Sequence, residues 1–95
     1  MNTQDAAQPN ILMYLRDDCP FCTAARALFR EHNVSWEEIS LETEPDRRAE
    51  MIRRSGRTTV PQVFIGDFHV GGFDDLQALD EEGALDRLLA GASHS

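Results

Sequence analysis

Apolar runs and amphipathic stretches alternate along the chain, and their spacing predicts the first strand and the first helix. A continuous apolar run lies within Asn10 to Arg16, as expected for a central strand that is buried on both faces. From about Pro20 to His32 the apolar side chains recur at helical spacing, with charged side chains on the other face. We expect Asn33 to end this helix, because asparagine tolerates the left-handed backbone that often follows a helix.

The pattern changes in the second half of the chain, where it predicts an edge strand, a helix and a hairpin. Ser35 to Leu41 carries charge where an interior strand would not, so we expect a strand at a sheet edge. Pro45 is predicted to open a helix that continues to about Arg54 and ends at Ser55-Gly56. Gly66-Asp67 separates two short apolar segments and indicates a two-residue hairpin turn.

The order of these elements, β-α-β-α-β-β-α, predicts a small α/β domain. The helices are long enough for right-handed crossovers, so the first two strands should be parallel, and the hairpin adds an antiparallel strand. Helical segments near Asp74–Asp80 and Glu82–Leu89 complete the pattern. The predicted fold is therefore thioredoxin-like, with a mixed four-stranded sheet flanked by helices. We expect one domain over residues 10–91, a flexible lead-in at 1–9 and a tail at 92–95.

Composition limits the partners of this domain. The 95 residues carry 17 acidic side chains against 9 basic ones, which gives a net charge of −8. Repulsion from phosphate groups makes nucleic acid an unexpected partner and disfavours anionic membranes. The longest clean apolar run, Ile11 to Leu15, is too short to span a membrane, and Met1 to Asn10 lacks the features of a secretory leader. We therefore expect a monomeric cytoplasmic protein.

Cys19-Pro20-Phe21-Cys22 lies where the first strand ends and the first helix begins. With Cys19 as the N-cap, Pro20 takes the first helical position, where its missing N–H costs nothing. The N–H groups of Phe21 and Cys22 then face the Cys19 sulfur, and the positive helix end favours its thiolate. Cys22 lies one turn further on and is expected to be more buried. Two thiols placed in this way are suited to thiol–disulfide exchange.

A zinc site is the alternative interpretation of the two cysteines. Zinc would need two further ligands, and the histidines that remain, at His32, His69 and His94, have no paired spacing. The position of the motif between a strand and a helix favours redox chemistry instead.

A second motif, Thr58-Thr59-Val60-Pro61, precedes the hairpin. Proline is common at the start of a strand and needs no functional explanation there. Here it also predicts a cis-proline turn beside the cysteines. Such a turn would offer the Val60 backbone N–H and C=O to an extended substrate.

A third motif, Gly71-Gly72-Phe73-Asp74-Asp75, opens the last helical region. One interpretation is a turn in which Asp74 or Asp75 caps the helix. The other is a helix N-terminus whose N–H groups bind a carboxylate, next to an acidic side chain that holds an ammonium group.

With these three motifs the chain resembles the dithiol glutaredoxins, and the short bacterial members most closely. The resemblance covers nearly all of residues 10–91. It rests on Tyr14-Leu15-Arg16 before the CPFC motif, on RRSGRTTVPQ at 53–62 and on HVGGFDDL at 69–76. It implies a thioredoxin fold, a glutathione site across Cys19, and regeneration by free glutathione rather than by a dedicated reductase.

The resemblance also implies a role for particular residues. Cys19 would be the nucleophile and Cys22 its resolving partner. Arg16 and Arg48 would face the glycine carboxylate of glutathione, and Phe73 (through its N–H) with Asp74 would hold the γ-glutamyl end. The full set of residues expected to contact glutathione is Arg16, Phe21, Arg48, Thr59, Val60, Pro61, Gly72, Phe73 and Asp74.

Several of these residues also have a plainer interpretation. Arg16 also fits a solvated charge at the strand end, and Arg48 also fits a surface pair to a glutamate of its own helix. Phe21 stands where the family usually has tyrosine, and Phe73 is bulkier than the residue often found there. Neither departure removes a catalytic group.

The sequence thus predicts an enzyme that reduces protein–glutathione mixed disulfides and protein disulfides, with glutathione as co-substrate and no metal. One alternative is a thioredoxin-like electron donor that a flavoprotein reductase recharges. Another is an iron–sulfur carrier, in which Cys19 from two chains and two glutathione molecules hold a cluster. Pro20 argues against the carrier, since the cluster-binding members of the family lack proline there.

Overall fold

The computed structural model describes residues 9–90, which form a four-stranded sheet with helices packed against both faces. The strands are β1 (Ile11–Leu15), β2 (Glu37–Ser40), β3 (Gln62–Ile65) and β4 (Phe68–Gly71), and the helices are α1 (Pro20–Glu31), α2 (Arg47–Ser55), α3 (Phe73–Glu82) and α4 (Ala84–Leu89). Apart from residue 9, the predicted lead-in and the predicted tail lie outside the described residues. The domain boundaries therefore stay predictions.

The sheet has the strand order β2-β1-β3-β4. β1 pairs with β2 in parallel, and β3 is antiparallel to both β1 and β4. The predicted mixed sheet, with parallel first strands and an antiparallel hairpin, is confirmed, as is the edge position of β2. Residues 16–19 follow the carboxyl end of β1. Because β3 runs antiparallel to β1, these residues lie at the end of the sheet where β3 begins.

Asparagine and glycine residues correctly predicted where two helices end and where the hairpin turns. Asn33, after α1, has a φ of 58°. Gly56 ends α2 with a φ of 73°, and its N–H donates to the Ile52 carbonyl at 2.7 Å. Gly66 has a φ of 60° in the turn between β3 and β4. Each position needs a left-handed backbone, which glycine and asparagine adopt at little cost.

The predicted start of the second helix was wrong. α2 begins at Arg47, with Asp46 as its N-cap, so Pro45 lies before the helix and not in its first turn. The Pro45 carbonyl accepts from the Arg48 N–H at 3.2 Å, within a turn that leads into α2. Proline fits such a turn as well as it fits a helix start, because both need the same φ.

Side chains alternate between two apolar clusters along the strands. Met13 and Val63 face the cluster formed with α1, α3 and α4, while Tyr14 and Phe64 face the cluster formed with Met51 of α2. This alternation fixes the register, since a shift of one residue would exchange the two clusters. Within residues 9–90, no helix has the length and apolar character needed to cross a membrane.

Candidate functional site

Cys19 is the N-cap of α1, as its place before Pro20 predicted. Its backbone is extended, with a φ of −118°, and its sulfur accepts a hydrogen bond from the Cys22 N–H at 3.1 Å. A helix N-terminus stabilises negative charge on a group in this position. The local sequence alone therefore places the Cys19 sulfur where a thiolate is favoured.

The two cysteines form a disulfide, with their Cα atoms 5.2 Å apart. Cys22 is completely buried, whereas Cys19 is only partly buried at the domain surface. A substrate can therefore approach the Cys19 sulfur but not the Cys22 sulfur. This difference agrees with the order of burial expected for the motif.

The loop before β3 lies against Cys19. The Val60–Pro61 peptide bond is cis, as predicted from the Thr-Val-Pro motif. The Val60 carbonyl oxygen lies 4.0 Å from the Cys19 sulfur, although the residues are 41 positions apart in sequence. The backbone of Thr59 and Val60 is thus placed beside the partly exposed sulfur.

Two clefts flank this segment, and Thr59 and Val60 line both of them. The first cleft has a volume of about 410 Å³ and lies towards Arg16 and Arg48. The second has a volume of about 190 Å³ and lies towards the start of α3. Together they form an extended surface that passes the Cys19 sulfur.

All the residues predicted to contact glutathione line one of these clefts. The first contains Arg16 and Arg48, the second contains Phe21, Pro61, Gly72, Phe73 and Asp74, and both contain Thr59 and Val60. The structure thus brings together residues that come from α1, α2, α3 and three loops. Their roles towards a ligand stay predictions.

Two arginines, Arg16 and Arg48, line the first cleft. Arg16 is exposed and lies 3.8 Å from Glu42, too far for a strong ion pair. A hydrogen bond with Asp17 raises the pKa of Glu42 above its ordinary value. The surface pairing that was an alternative for Arg48 is made by its neighbour Arg47, which contacts Glu44 at 3.1 Å and Glu50 at 2.8 Å.

The second cleft separates the roles of two adjacent aspartates. Asp75 caps α3, because its carboxylate accepts from the Gly72 N–H at 3.0 Å, and it also pairs with Arg57 at 2.9 Å. The hydrogen bond from Arg57, followed by that from Gly72, lowers the pKa of Asp75. The Asp74 side chain is exposed and lines the cleft. The capping interpretation is therefore correct for Asp75, and it leaves Asp74 facing the cleft.

Sequence reasoning missed Arg57 and one aromatic contact. Arg57 lines the second cleft and joins the loop before β3 to α3 through Asp75. Its position beside Thr58 was the available signal, but its partner lies 18 residues away. The rings of Phe21 and Phe73 stack with centroids 6.3 Å apart, so the two departures from the family pattern contact each other.

Among the described residues, no group of three or more histidine, cysteine, aspartate or glutamate side chains is placed to hold a metal ion. His94, one of the histidines considered as a zinc ligand, lies outside the described residues. His32 instead contacts Asp80 at 2.7 Å and Asp86 at 2.9 Å, and His69 contacts Gln62 at 2.7 Å.

Comparison with known proteins gives the same assignment from sequence and from structure. A family model described as Glutaredoxin matches residues 11–70. Glutaredoxin 3 of Escherichia coli (strain K12) is 50% identical over 80 residues, which are 84% of this chain and 96% of the relative. A glutaredoxin of Pseudomonas aeruginosa is 45% identical over 82 residues, or 86% and 98% of the two chains.

Solved structures extend this similarity to the fold. The solution structure of a glutaredoxin from Brucella melitensis is 48% identical, with a TM-score of 0.77 over 88% of this chain and 91% of that one. A crystal structure of a buckwheat glutaredoxin–glutathione complex is 26% identical, with a TM-score of 0.82 over 96% and 86% of the chains. The predicted thioredoxin-like fold is confirmed. The chain belongs to the glutaredoxin family, whose members are glutathione-dependent thiol–disulfide oxidoreductases.

Proposed function

We propose that this protein reduces protein–glutathione mixed disulfides and protein disulfides, with glutathione as electron donor and with the residues named above as its site. The observation that carries the proposal is the arrangement of the two clefts. One offers arginines, the other offers a helix N-terminus and a free carboxylate, and the exposed Cys19 sulfur lies beside the segment that they share.

Reduction of a mixed disulfide needs only Cys19. Its thiolate attacks the glutathione sulfur, a bond forms between the two sulfurs, and the substrate protein leaves as a thiolate that takes up a proton. A second glutathione thiolate then attacks the glutathione sulfur of the enzyme intermediate. This step releases Cys19 as a thiolate and glutathione disulfide as the oxidised product.

Reduction of a protein disulfide needs both cysteines. Cys19 attacks one substrate sulfur, and the Cys22 thiolate then attacks Cys19 within this intermediate. The substrate leaves with both thiols reduced, and the enzyme holds the Cys19–Cys22 disulfide seen here. Two glutathione molecules restore the dithiol and are oxidised to one glutathione disulfide.

Glutathione has charges at both ends, and the clefts match them. Its glycine carboxylate would contact Arg16 and Arg48, for which two-donor guanidinium groups are well suited. The γ-glutamyl carboxylate would accept from the Phe73 N–H at the N-terminus of α3, beside the Asp74 carboxylate for the ammonium group. The central cysteinyl backbone would pair with Thr59 and Val60 beside Pro61, between Phe21 and Gly72.

The proposal also covers the partners, location and oligomeric state of the protein. The net charge of −8 disfavours nucleic acids and anionic membranes as partners. We propose that the enzyme acts as a cytoplasmic monomer without a resident metal.

A coupled assay with a single electron source tests the function. The protein, with a glutathionylated peptide as substrate, receives electrons either from glutathione and its reductase or from a thioredoxin reductase. We expect turnover with glutathione alone. Turnover that requires the thioredoxin reductase would contradict the proposal and support the alternative of a thioredoxin-like electron donor.

A substitution at Asp74 tests the glutathione site itself. Asp74→Ala should lower kcat/KM for glutathione-linked substrates roughly tenfold, because a hydrogen bond to a charged group is worth about 1–3 kcal/mol. Arg48→Ala should act in the same direction but more weakly, since solvent screens an exposed arginine.

Asp67→Ala is the matched control, because it removes another exposed aspartate, one that lies in the hairpin turn outside both clefts. All three variants should keep the wild-type rate of Cys19 alkylation by a small neutral reagent. An Asp74→Ala enzyme with the glutathione kinetics of Asp67→Ala would overturn the placement of the γ-glutamyl end.

A further inference from the structure

Gln62 is a fully buried amide directly behind the segment that lines both clefts. Among residues 9–90 it is the one non-aromatic polar side chain with no solvent exposure. Burying an amide costs free energy unless its donors and acceptor are hydrogen-bonded. The hydrogen bonds of Gln62 are therefore needed to keep its side chain in this position.

The partners of Gln62 join β4 to the loop before β3. Its Nε2 donates to the Thr59 carbonyl oxygen at 3.1 Å, and it lies 3.4 Å from the Thr59 hydroxyl. Its Oε1 lies 2.7 Å from Nε2 of His69. The chain of hydrogen bonds therefore runs from His69 through Gln62 to the backbone of Thr59.

The direction of this chain follows from hydrogen-bonding chemistry. A carbonyl oxygen only accepts, so the Gln62 nitrogen must face Thr59, and its oxygen must face His69. His69 therefore donates from Nε2. The neutral ring with its proton on Nε2 and the doubly protonated ring can both do so, which makes the link independent of the charge on His69.

His69 is itself held by the sheet. It lies opposite Phe64 in the β3–β4 register, and the two rings stack with centroids 4.8 Å apart. The ring is only partly buried, so its position is set by the strand and by this stack.

We infer that His69 and Gln62 are positioning residues for glutathione, which hold the Thr59 carbonyl so that the Thr59–Val60 backbone is ready to pair with the cysteinyl part of the ligand. The inference rests on the proposed function. Neither residue lines either cleft. Their effect passes through the loop, so it concerns the binding of glutathione and not the reactivity of Cys19.

Two substitutions of His69 separate the hydrogen bond from the ring. The glutamine amide nitrogen is as many bonds from Cα as Nε2 of histidine, whereas the asparagine nitrogen matches only Nδ1 and falls short of Gln62. Both substitutions remove the stack on Phe64. We expect His69→Asn to raise KM for a glutathionylated peptide about tenfold, the ratio that corresponds to about 1.4 kcal/mol. His69→Gln should stay within about threefold of the wild type.

Three further readouts belong to the same experiment. Both variants should keep the wild-type kcat and the wild-type rate of Cys19 alkylation, and their thermal unfolding is measured alongside. Equal KM values in His69→Asn and His69→Gln would overturn the inference, whether both stay at the wild-type value or both rise. A lowered Tm in His69→Asn with an unchanged KM would show a purely structural role and would also overturn it.

The wild-type enzyme separates this inference from the proposed function. If the wild type turns over with glutathione and His69→Asn has an unchanged KM, only the role of His69 and Gln62 is wrong. If the wild type does not use glutathione, the proposed function fails and this inference fails with it.

Discussion

Two cysteines one helical turn apart have different environments in this protein. Cys19 is partly exposed and accepts the Cys22 N–H at the helix start, whereas Cys22 has no exposed surface. An N-cap position stabilises a thiolate, and an apolar surrounding opposes one. The same motif therefore contains an attacking sulfur and a sulfur that only an intramolecular partner can reach.

Serine substitution of each cysteine tests this division of roles. Cys19→Ser should abolish all turnover, because no other residue supplies the attacking thiolate. Cys22→Ser should keep substantial activity on glutathionylated peptides and lose most reduction of protein disulfides. Activity on both substrate classes is measured for each variant. If Cys22→Ser were as inactive as Cys19→Ser on a glutathionylated peptide, the proposed roles would be wrong.

At the scale of elements, a polar network attaches α2 to the sheet. The Tyr14 hydroxyl, on the central strand β1, donates to the Glu50 carboxylate and accepts from Arg54 at 3.0 Å. Arg54 also lies over the Phe64 ring, 4.3 Å from its centroid. Glu50 in turn accepts two hydrogen bonds from Arg47, at 2.8 and 3.0 Å. A charged helix face thereby packs on a buried tyrosine.

This network predicts acid sensitivity of the fold. The hydrogen bonds from Arg47, and then from Tyr14, lower the pKa of Glu50 from 4.5 to about 2. Because the pKa of Glu50 is lower in the folded state, its ionised carboxylate stabilises the fold above pH 4.5. This stabilisation is lost as the pH falls towards 2. Glu50→Gln should lower the free energy of unfolding at pH 7 by about 1–2 kcal/mol, less than the full pKa shift because the group is partly solvated.

Urea unfolding of Glu50→Gln between pH 2 and pH 7 measures this effect. The variant should approach the stability of the wild type as the pH falls, because the wild type alone loses the ion pair. Glu44→Gln is the matched control, since the Glu44 carboxylate also pairs with Arg47 but is 48% exposed, so solvent screens that pair. A parallel pH dependence of Glu50→Gln and the wild type would contradict the assignment.

The surface of residues 9–90 exposes little apolar area for self-association. Among the described residues, the large apolar side chains that are exposed are Phe21, at 58%, and Phe68, at 48%. A stable dimer normally buries a much larger apolar area, and a net charge of −8 opposes self-association. Phe21 belongs to the second cleft, so its exposure is accounted for by the site.

We therefore expect a colourless monomer even when the protein is prepared anaerobically with iron, sulfide and glutathione. Sedimentation velocity and the visible absorption spectrum measure the two properties. Cys19→Ser is the control, because it removes the sulfur through which a bridging cluster would bind. A brown dimer that forms with the wild type and not with Cys19→Ser would favour the iron–sulfur carrier that the sequence left as an alternative.

Patterns among residues close together in the sequence were enough to predict many of the helices, strands and turns of this protein. Cys19 before Pro20 predicted a helix start with the sulfur as its cap, Gly56 predicted a helix end, and Gly66 predicted a hairpin turn. The order of strands and helices predicted the parallel β1–β2 pair and the antiparallel hairpin, because crossover length decides whether neighbouring strands are parallel. These features depend on interactions within a few residues or on chain connectivity, which a sequence states directly.

Only the tertiary structure decided which side chains of distant segments meet. Asp75 pairs with Arg57, and Phe21 stacks on Phe73. The link from His69 through Gln62 to Thr59 was equally absent from any local pattern. Such contacts depend on how α3 and β4 dock against the loop before β3. That docking is set by the packing of the whole core, so no short stretch of sequence contains it.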